Sequence, residues 1–204
     1  MRSVDTRTAQ AHPGVIAVFT AADVPVNEYG LINADQPVLV GIGSDKAGAD
    51  VARFVGDQVA LVVAESESAA AAARELIEVT WEDLPVVSDP RQSMRPDATP
   101  LFPGRESNIV KHNRIRKGEV QAAWPRCAVI VEAEYRTPSQ EHAFLQPEAG
   151  LAYIDAEGRV TVEVAGQWLH EERDQIAHAL GLSAEKVRVI HPAIGGAFGG
   201  REDL

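Results

Sequence analysis

Two stretches of this chain run from a short β-rich segment through a helix-forming one into a second β-rich segment. That order confines the fold to mixed α and β architectures. In the first, Gln58-Val59-Ala60-Leu61-Val62-Val63-Ala64 precedes an alanine-rich helical stretch over 65–77, with Ser66 or Ser68 near its N-cap. Glu78-Val79-Thr80-Trp81-Glu82 follows as a second strand, and a strand, a helix and a strand in that order predict a crossover unit. In the second stretch, residues 160–164 read as a strand. Residues 169–180 read as a helix with Ile176, Ala177 and Leu180 on one face and Gly181 as its stop, and 187–190 as a closing strand. If those two strands are parallel neighbours, the groups that follow each of them emerge at one edge, where ligands bind in such sheets.

The remaining segments fill in an α+β fold. Gly14-Val15-Ile16-Ala17-Val18-Phe19-Thr20 is β-rich, and Ala21-Ala22-Asp23-Val24-Pro25 reads as one helical turn closed by proline. Residues 27–50 are rich in Gly, Asp, Asn and Pro and read as loops with short strands. Pro85, Pro90, Pro96, Pro100 and Pro103 punctuate a stretch of little periodicity, read as a linker or an extended arm. The domain division expected is 1–88, a linker arm over 89–117, and a second α+β region over 118–204. Within the second region, 128–136 and 151–154 read as strands, and Asp155-Ala156-Glu157-Gly158 as a hairpin-type turn.

Composition excludes several classes of function. The formal net charge of −11 argues against binding a phosphate backbone. Cys127 is the single cysteine, so the chain can form no internal disulfide, no four-cysteine zinc site and no iron–sulfur cluster of its own. The segment Met1-Arg2-Ser3-Val4-Asp5 lacks the apolar core of a signal peptide, and no apolar run reaches the length of a membrane span. A cytoplasmic protein is expected.

Candidate chemistry gathers near the end of the chain. Gly195-Gly196-Ala197-Phe198-Gly199-Gly200 follows the closing strand. It fits neither the dinucleotide fingerprint nor a P-loop. Successive backbone N–H groups beside glycines can cradle an anion or an oxo ligand, whereas a tight turn between strand and helix answers the pattern alone somewhat better. Gln167, after Gly166 and the strand at 160–164, carries an amide suited to an oxo ligand and equally suited to a solvated turn. His170-Glu171-Glu172-Arg173-Asp174 lacks the second histidine of a zinc protease motif and reads as an acid-rich first helical turn. Glu141-His142-Ala143-Phe144-Leu145-Gln146-Pro147-Glu148 reads as a packed loop, and Cys127 as a buried small hydrophobe.

Taken together these stretches resemble the molybdopterin-binding large subunit of the xanthine dehydrogenase/aldehyde oxidase family, over nearly the whole chain. Residues 14–25, the run from Val55 to Glu65 and Val79-Thr80-Trp81-Glu82-Asp83-Leu84-Pro85 are similar to its α/β hammerhead domain. Tyr135-Arg136-Thr137-Pro138, His142-Ala143 and Pro147-Glu148 look like the opening of its molybdopterin-binding domain. Gly166-Gln167 and residues 195–202 look like that domain's first two active-site segments. The fold this implies is a hammerhead domain followed by the beginning of an α+β molybdopterin-binding domain.

The resemblance implies an oxidoreductase in which molybdenum, held by a pterin dithiolene with the dinucleotide form left open, hydroxylates an electron-poor carbon with oxygen from water. Gln167 would hydrogen-bond an oxo ligand, and the backbone of Phe198 and Gly199 would cradle the cofactor. Glu202 would contact the substrate, favouring an N-heterocycle such as xanthine or a nicotinate-like ring. No residue of this chain would ligate the metal directly. The family's catalytic glutamate is expected beyond the chain end, so the chain alone is not expected to turn over. The partners implied are an iron–sulfur subunit, an FAD subunit and the remainder of the molybdenum subunit, with no nucleic acid and no membrane. Two other readings stand beside this one: part of an aldehyde or carbon monoxide dehydrogenase large subunit, and a non-catalytic module on which partner subunits dock. Arg201 stands where lysine is frequent in the family, and Ala197 where glycine is frequent.

Overall fold

The structure, a computed structural model, describes residues 1–102 and 104–202. Its contacts divide the chain into two compact units: Met1–Val86 together with His142–Leu204, and Val87–Glu141.

In the larger unit, β1 (Ser3–Asp5), the short helix α1 (Arg7–Gln10) and β2 (Val15–Thr20) lead into a 3₁₀ turn over Ala21–Asp23. That turn is closed by a capping box in which the Asp23 carboxylate accepts the Thr20 N–H at 2.7 Å. Loops then carry the chain to β3 (Ala60–Ala64), α2 (Glu67–Arg74) and β4 (Glu78–Thr80). Ser66 is the N-cap of α2, accepting the Ala69 N–H at 3.2 Å. The alanines of α2 let it approach closely, and Ala73 closes against Ala9 and Val18 as a small core.

The crossover predicted for this half does not form. β3 pairs antiparallel with β2, setting Val18 opposite Val62, while β4 pairs antiparallel with β1, setting Val4 opposite Val79. Each strand after α2 or before it finds an earlier strand as partner, so β3 and β4 belong to two separate two-stranded sheets. Over residues 27–50 the loop reading holds, and the isolated bridge between Tyr29 and Gln36 is what remains of the short strands expected there.

The second strand–helix–strand stretch behaves as a crossover. β5 (Gly150–Ile154) and β6 (Val160–Val164) form a hairpin, α5 (Leu169–Ala179) follows, and β7 (Val187–Ile190) returns parallel to β6, pairing Val160 with Val187 and Glu163 with Ile190. The hairpin turn is organised by Asp155, whose carboxylate accepts the N–H groups of Glu157 and Arg159 at 3.0 and 2.9 Å. Ala177 of α5 packs on Val187 and Val189. This region joins the N-terminal half of the same unit through segment 26–30: Val26 N–H donates to Ala179 O at 3.0 Å, and His178 pairs with Glu28 at 2.9 Å.

The smaller unit holds α3 (Pro90–Ser93) and α4 (Val120–Ala123). Asp89 caps α3, accepting from Arg91 and Gln92, and Asn108 donates to Ser93 O and Thr99 O. The strand expected over 128–136 is not formed, and the segment stays exposed. A β-rich sequence becomes a strand only with a partner backbone, and none pairs with it among the described residues. Cys127, expected to be buried, is exposed, since no core closes over its short turn.

Candidate functional site

The parallel pairing of β6 and β7 brings together at one edge two segments about thirty residues apart in sequence. From the end of β6 the chain passes Ala165 and Gly166 to Gln167. From the end of β7 it passes His191 to the glycine loop at 195–200. The two turns are bonded to each other: Gln167 N–H donates to Arg201 O at 3.0 Å, and Gly199 N–H donates to Gln167 Oε1 at 3.0 Å. Because the partner at Gly199 is a donor, the amide oxygen is the atom engaged. What Gln167 has left to offer a ligand is the pair of N–H donors on Nε2.

The loop is built around an unusual backbone. Phe198 has φ 53 and Gly199 φ 87, two successive left-handed residues of which the first is not glycine. A bulky residue in that region carries strain of order 1 kcal/mol or more, a state found most often at ligand sites. The Phe198 ring is 75% exposed, and a Cβ added at Gly199 would meet no atom within 4 Å. The strained turn therefore faces open space with its backbone uncovered.

Behind the two turns lie groups that no local sequence signal singles out. Glu172, on the first turn of α5, is only 2% exposed. Its Oε1 accepts the Trp168 N–H at 3.1 Å, and its Oε2 lies 2.5 Å from His191 Nε2. The acid-rich turn is thus half surface and half core, with Glu172 turned inward. Gly166 leaves room for it, since a Cβ there would overlap the Glu172 carboxylate outright. Arg201 is 6% exposed and lies over the Phe144 ring, 4.3 Å from its centroid. It donates to Ala165 O at 3.0 Å and Pro147 O at 3.3 Å, and pairs with Glu148 at 3.0 Å. Gln146 accepts the Gly195 N–H through Oε1. Two buried donors here, Gln146 Nε2 and Arg201 Nε, have no acceptor among the described residues. Glu202, next to Arg201, is half-buried.

The structure thus brings Gln167, Phe198 and Gly199 into one neighbourhood, with Glu202 three residues further along the same loop. The sequence carried no trace of the Arg201 contacts. It carried none of the Glu172–His191 pair, because a glutamate near a helix N-terminus looks the same whether it faces water or core. Among the described residues, no three His, Cys, Asp or Glu side chains are grouped to hold a metal ion directly, and no helix is long and apolar enough to cross a membrane.

Comparison with known proteins places both halves of the chain in described families. Residues 1–85 match the family model described as the aldehyde oxidase and xanthine dehydrogenase a/b hammerhead domain, and residues 101–204 match the molybdopterin cofactor-binding domain. A Bacillus subtilis protein named as a probable xanthine dehydrogenase subunit is 34% identical over 99% of this chain, which spans 26% of that relative. The nicotinate dehydrogenase large molybdopterin subunit of Eubacterium barkeri is also 34% identical over 99% of the chain, and 45% of that relative is spanned. Among solved structures, the aldehyde oxidoreductase of Desulfovibrio gigas aligns with a TM-score of 0.84 at 27% identity, covering 97% of this chain and 22% of that one.

Proposed function

The chain belongs to the xanthine dehydrogenase/aldehyde oxidase family of molybdopterin-binding large subunits, and from that premise we propose that its two paired turns seat the molybdenum cofactor of a hydroxylase. The substrate we assign is an electron-poor N-heterocycle, hydroxylated with oxygen derived from water. The observation that carries the reading is the hydrogen bond from Gly199 N–H to Gln167 Oε1, which joins a glutamine amide to a strained, uncovered backbone turn.

The residues present suit such a group. Nε2 of Gln167 supplies donors toward an acceptor on the cofactor. The open side of Gly199 admits a close approach to the backbone, and the unpaired donors of Gln146 and Arg201 are ready for an anionic neighbour. Bound there, molybdenum and its pterin would supply the oxygen transfer and accept the two electrons removed from substrate. Glu202 would orient the ring and offset charge that develops on it. None of these residues is assigned the role of general base. Cys127, a lone cysteine, cannot hold an iron–sulfur cluster. Electrons would therefore leave through iron–sulfur and FAD centres on partner chains, in the cytoplasm.

The relative named nicotinate dehydrogenase supports a heterocyclic substrate. The structural likeness to an aldehyde oxidoreductase favours aldehydes as a second reading. The deciding experiment isolates the chain from its native cells with whatever co-purifies, measures molybdenum by elemental mass spectrometry, and assays xanthine, nicotinate and aldehydes side by side. Molybdenum with turnover of a heterocycle is expected. Turnover of aldehydes alone would replace the substrate assignment, and a complex without molybdenum would end the proposal.

A further inference from the structure

We propose that Arg201 is the positioning residue of this site, a buried fork that sets the spacing between the turn after β6 and the glycine loop after β7. The idea rests on the reading of those turns as a cofactor seat only for its consequence, since the geometry is a property of the chain itself. Arg201 belongs to the glycine loop, yet its side chain leaves the loop in two directions. One terminal nitrogen donates to Ala165 O, two residues before Gln167, at 3.0 Å. The other donates to Pro147 O at 3.3 Å and pairs with Glu148 at 3.0 Å. The guanidinium plane is covered by Phe144 on one side, and the main-chain carbonyl of Arg201 receives the Gln167 N–H.

Three separate segments, 144–148, 165–167 and 199–201, therefore converge on one planar cation. Gln167 can take the Gly199 N–H at 3.0 Å only if the loop end is held at this distance from the strand end. A guanidinium presents donors on two nitrogens at a fixed angle, whereas an ammonium is a single point that can reach one segment or the other. Lysine at this position would keep the charge and lose the geometry.

The test uses the full chain without cofactor and reads amide hydrogen exchange at Gln167 and Gly199 against the strands β6 and β7. In Arg201→Lys and Arg201→Ala, both amides are expected to exchange about tenfold faster, the factor that loss of one charge-assisted hydrogen bond corresponds to, while β6 and β7 keep their protection. Guanidinium ion at non-denaturing millimolar concentration is expected to restore the Arg201→Ala rates toward those of the parent, and ammonium ion is not. Parent-like exchange in Arg201→Lys would overturn the proposal by showing that charge alone suffices. An equal loss of protection throughout β6, α5 and β7 would overturn it too, by making Arg201 a support of the whole sheet. Because no cofactor enters the measurement, it stands or falls apart from the molybdenum content of the native complex.

Discussion

Glu172 Oε2 lies 2.5 Å from His191 Nε2, so the first turn of α5 is tied directly to the residue that follows β7. The other oxygen of the same carboxylate takes the Trp168 N–H. One buried side chain thus serves both turns of the site. Glu172→Ala would strand a half-buried imidazole and a backbone donor, and is expected to cost about 3 kcal/mol. Glu172→Gln keeps an acceptor for Trp168 and should cost about 1 kcal/mol. Urea unfolding of the two variants, read as a shift in midpoint at unchanged slope, checks the order.

Gly166→Ala is expected to destabilise by about 1–3 kcal/mol, because the new Cβ occupies the space of the Glu172 carboxylate. The cost depends on that neighbour. In the Glu172→Ala background the clash is gone, so the double variant should be more stable than the sum of the single losses implies. Additive losses in a double-mutant cycle would show that Gly166 is needed for its backbone instead.

Asp155 should give the hairpin an acid-sensitive component. Its carboxylate, 8% exposed, is held down to about 2 from an ordinary 3.8, first by the Arg159 N–H and then by the Arg159 and Thr161 side chains. A carboxylate with a lowered folded-state pKa stabilises the fold above its ordinary value, and that contribution fades as pH falls from about 3.8 towards 2. Asp155→Asn should flatten the stability profile across that window and leave the slope near neutrality unchanged. Thermal melts of the two proteins between pH 2 and 7, about the range where carboxylates titrate, would reveal the difference.

Gln167→Ala tests the proposed seat with little risk to the fold, because the side chain is exposed. In the assembled native complex it should lower molybdenum retention or turnover by about 10- to 100-fold, in the range seen when an outer hydrogen-bond partner of a metal group is removed. The melting temperature of the chain should hardly change. Full retention and full turnover would remove Gln167 from the cofactor's surroundings.

Much of the second half of the fold was legible because its signals are local. Val160–Val164, the Asp155 turn, Gly181 and Val187–Ile190 each announce their element within a few residues. The parallel pairing that places Gln167 beside Gly199 stood in the sequence only as a condition, two strands joined by a helix, and the structure meets it. Pairings across long sequence distances were not legible. Nothing near Ala60–Ala64 or Glu78–Thr80 says that their partners are Val15–Thr20 and Ser3–Asp5 and not each other. Residues 128–136 have strand-forming side chains, but pairing is a property of two segments. The inward turn of Glu172 was equally hidden, since burial depends on what packs above the helix.

The parallel union of β6 and β7 also separates two kinds of change that a protein can undergo. Substitutions along the strands and on the inner face of α5 act on whether the sheet exists. Those beyond the carboxyl ends act on what the sheet holds out to its surroundings. With His191, Glu172 and Arg201 as the ties between these zones, the exposed ring of Phe198 lies outside the frame. If the two turns seat a cofactor as proposed, a change of guest calls for changes beyond the strand ends and none in the frame that presents them.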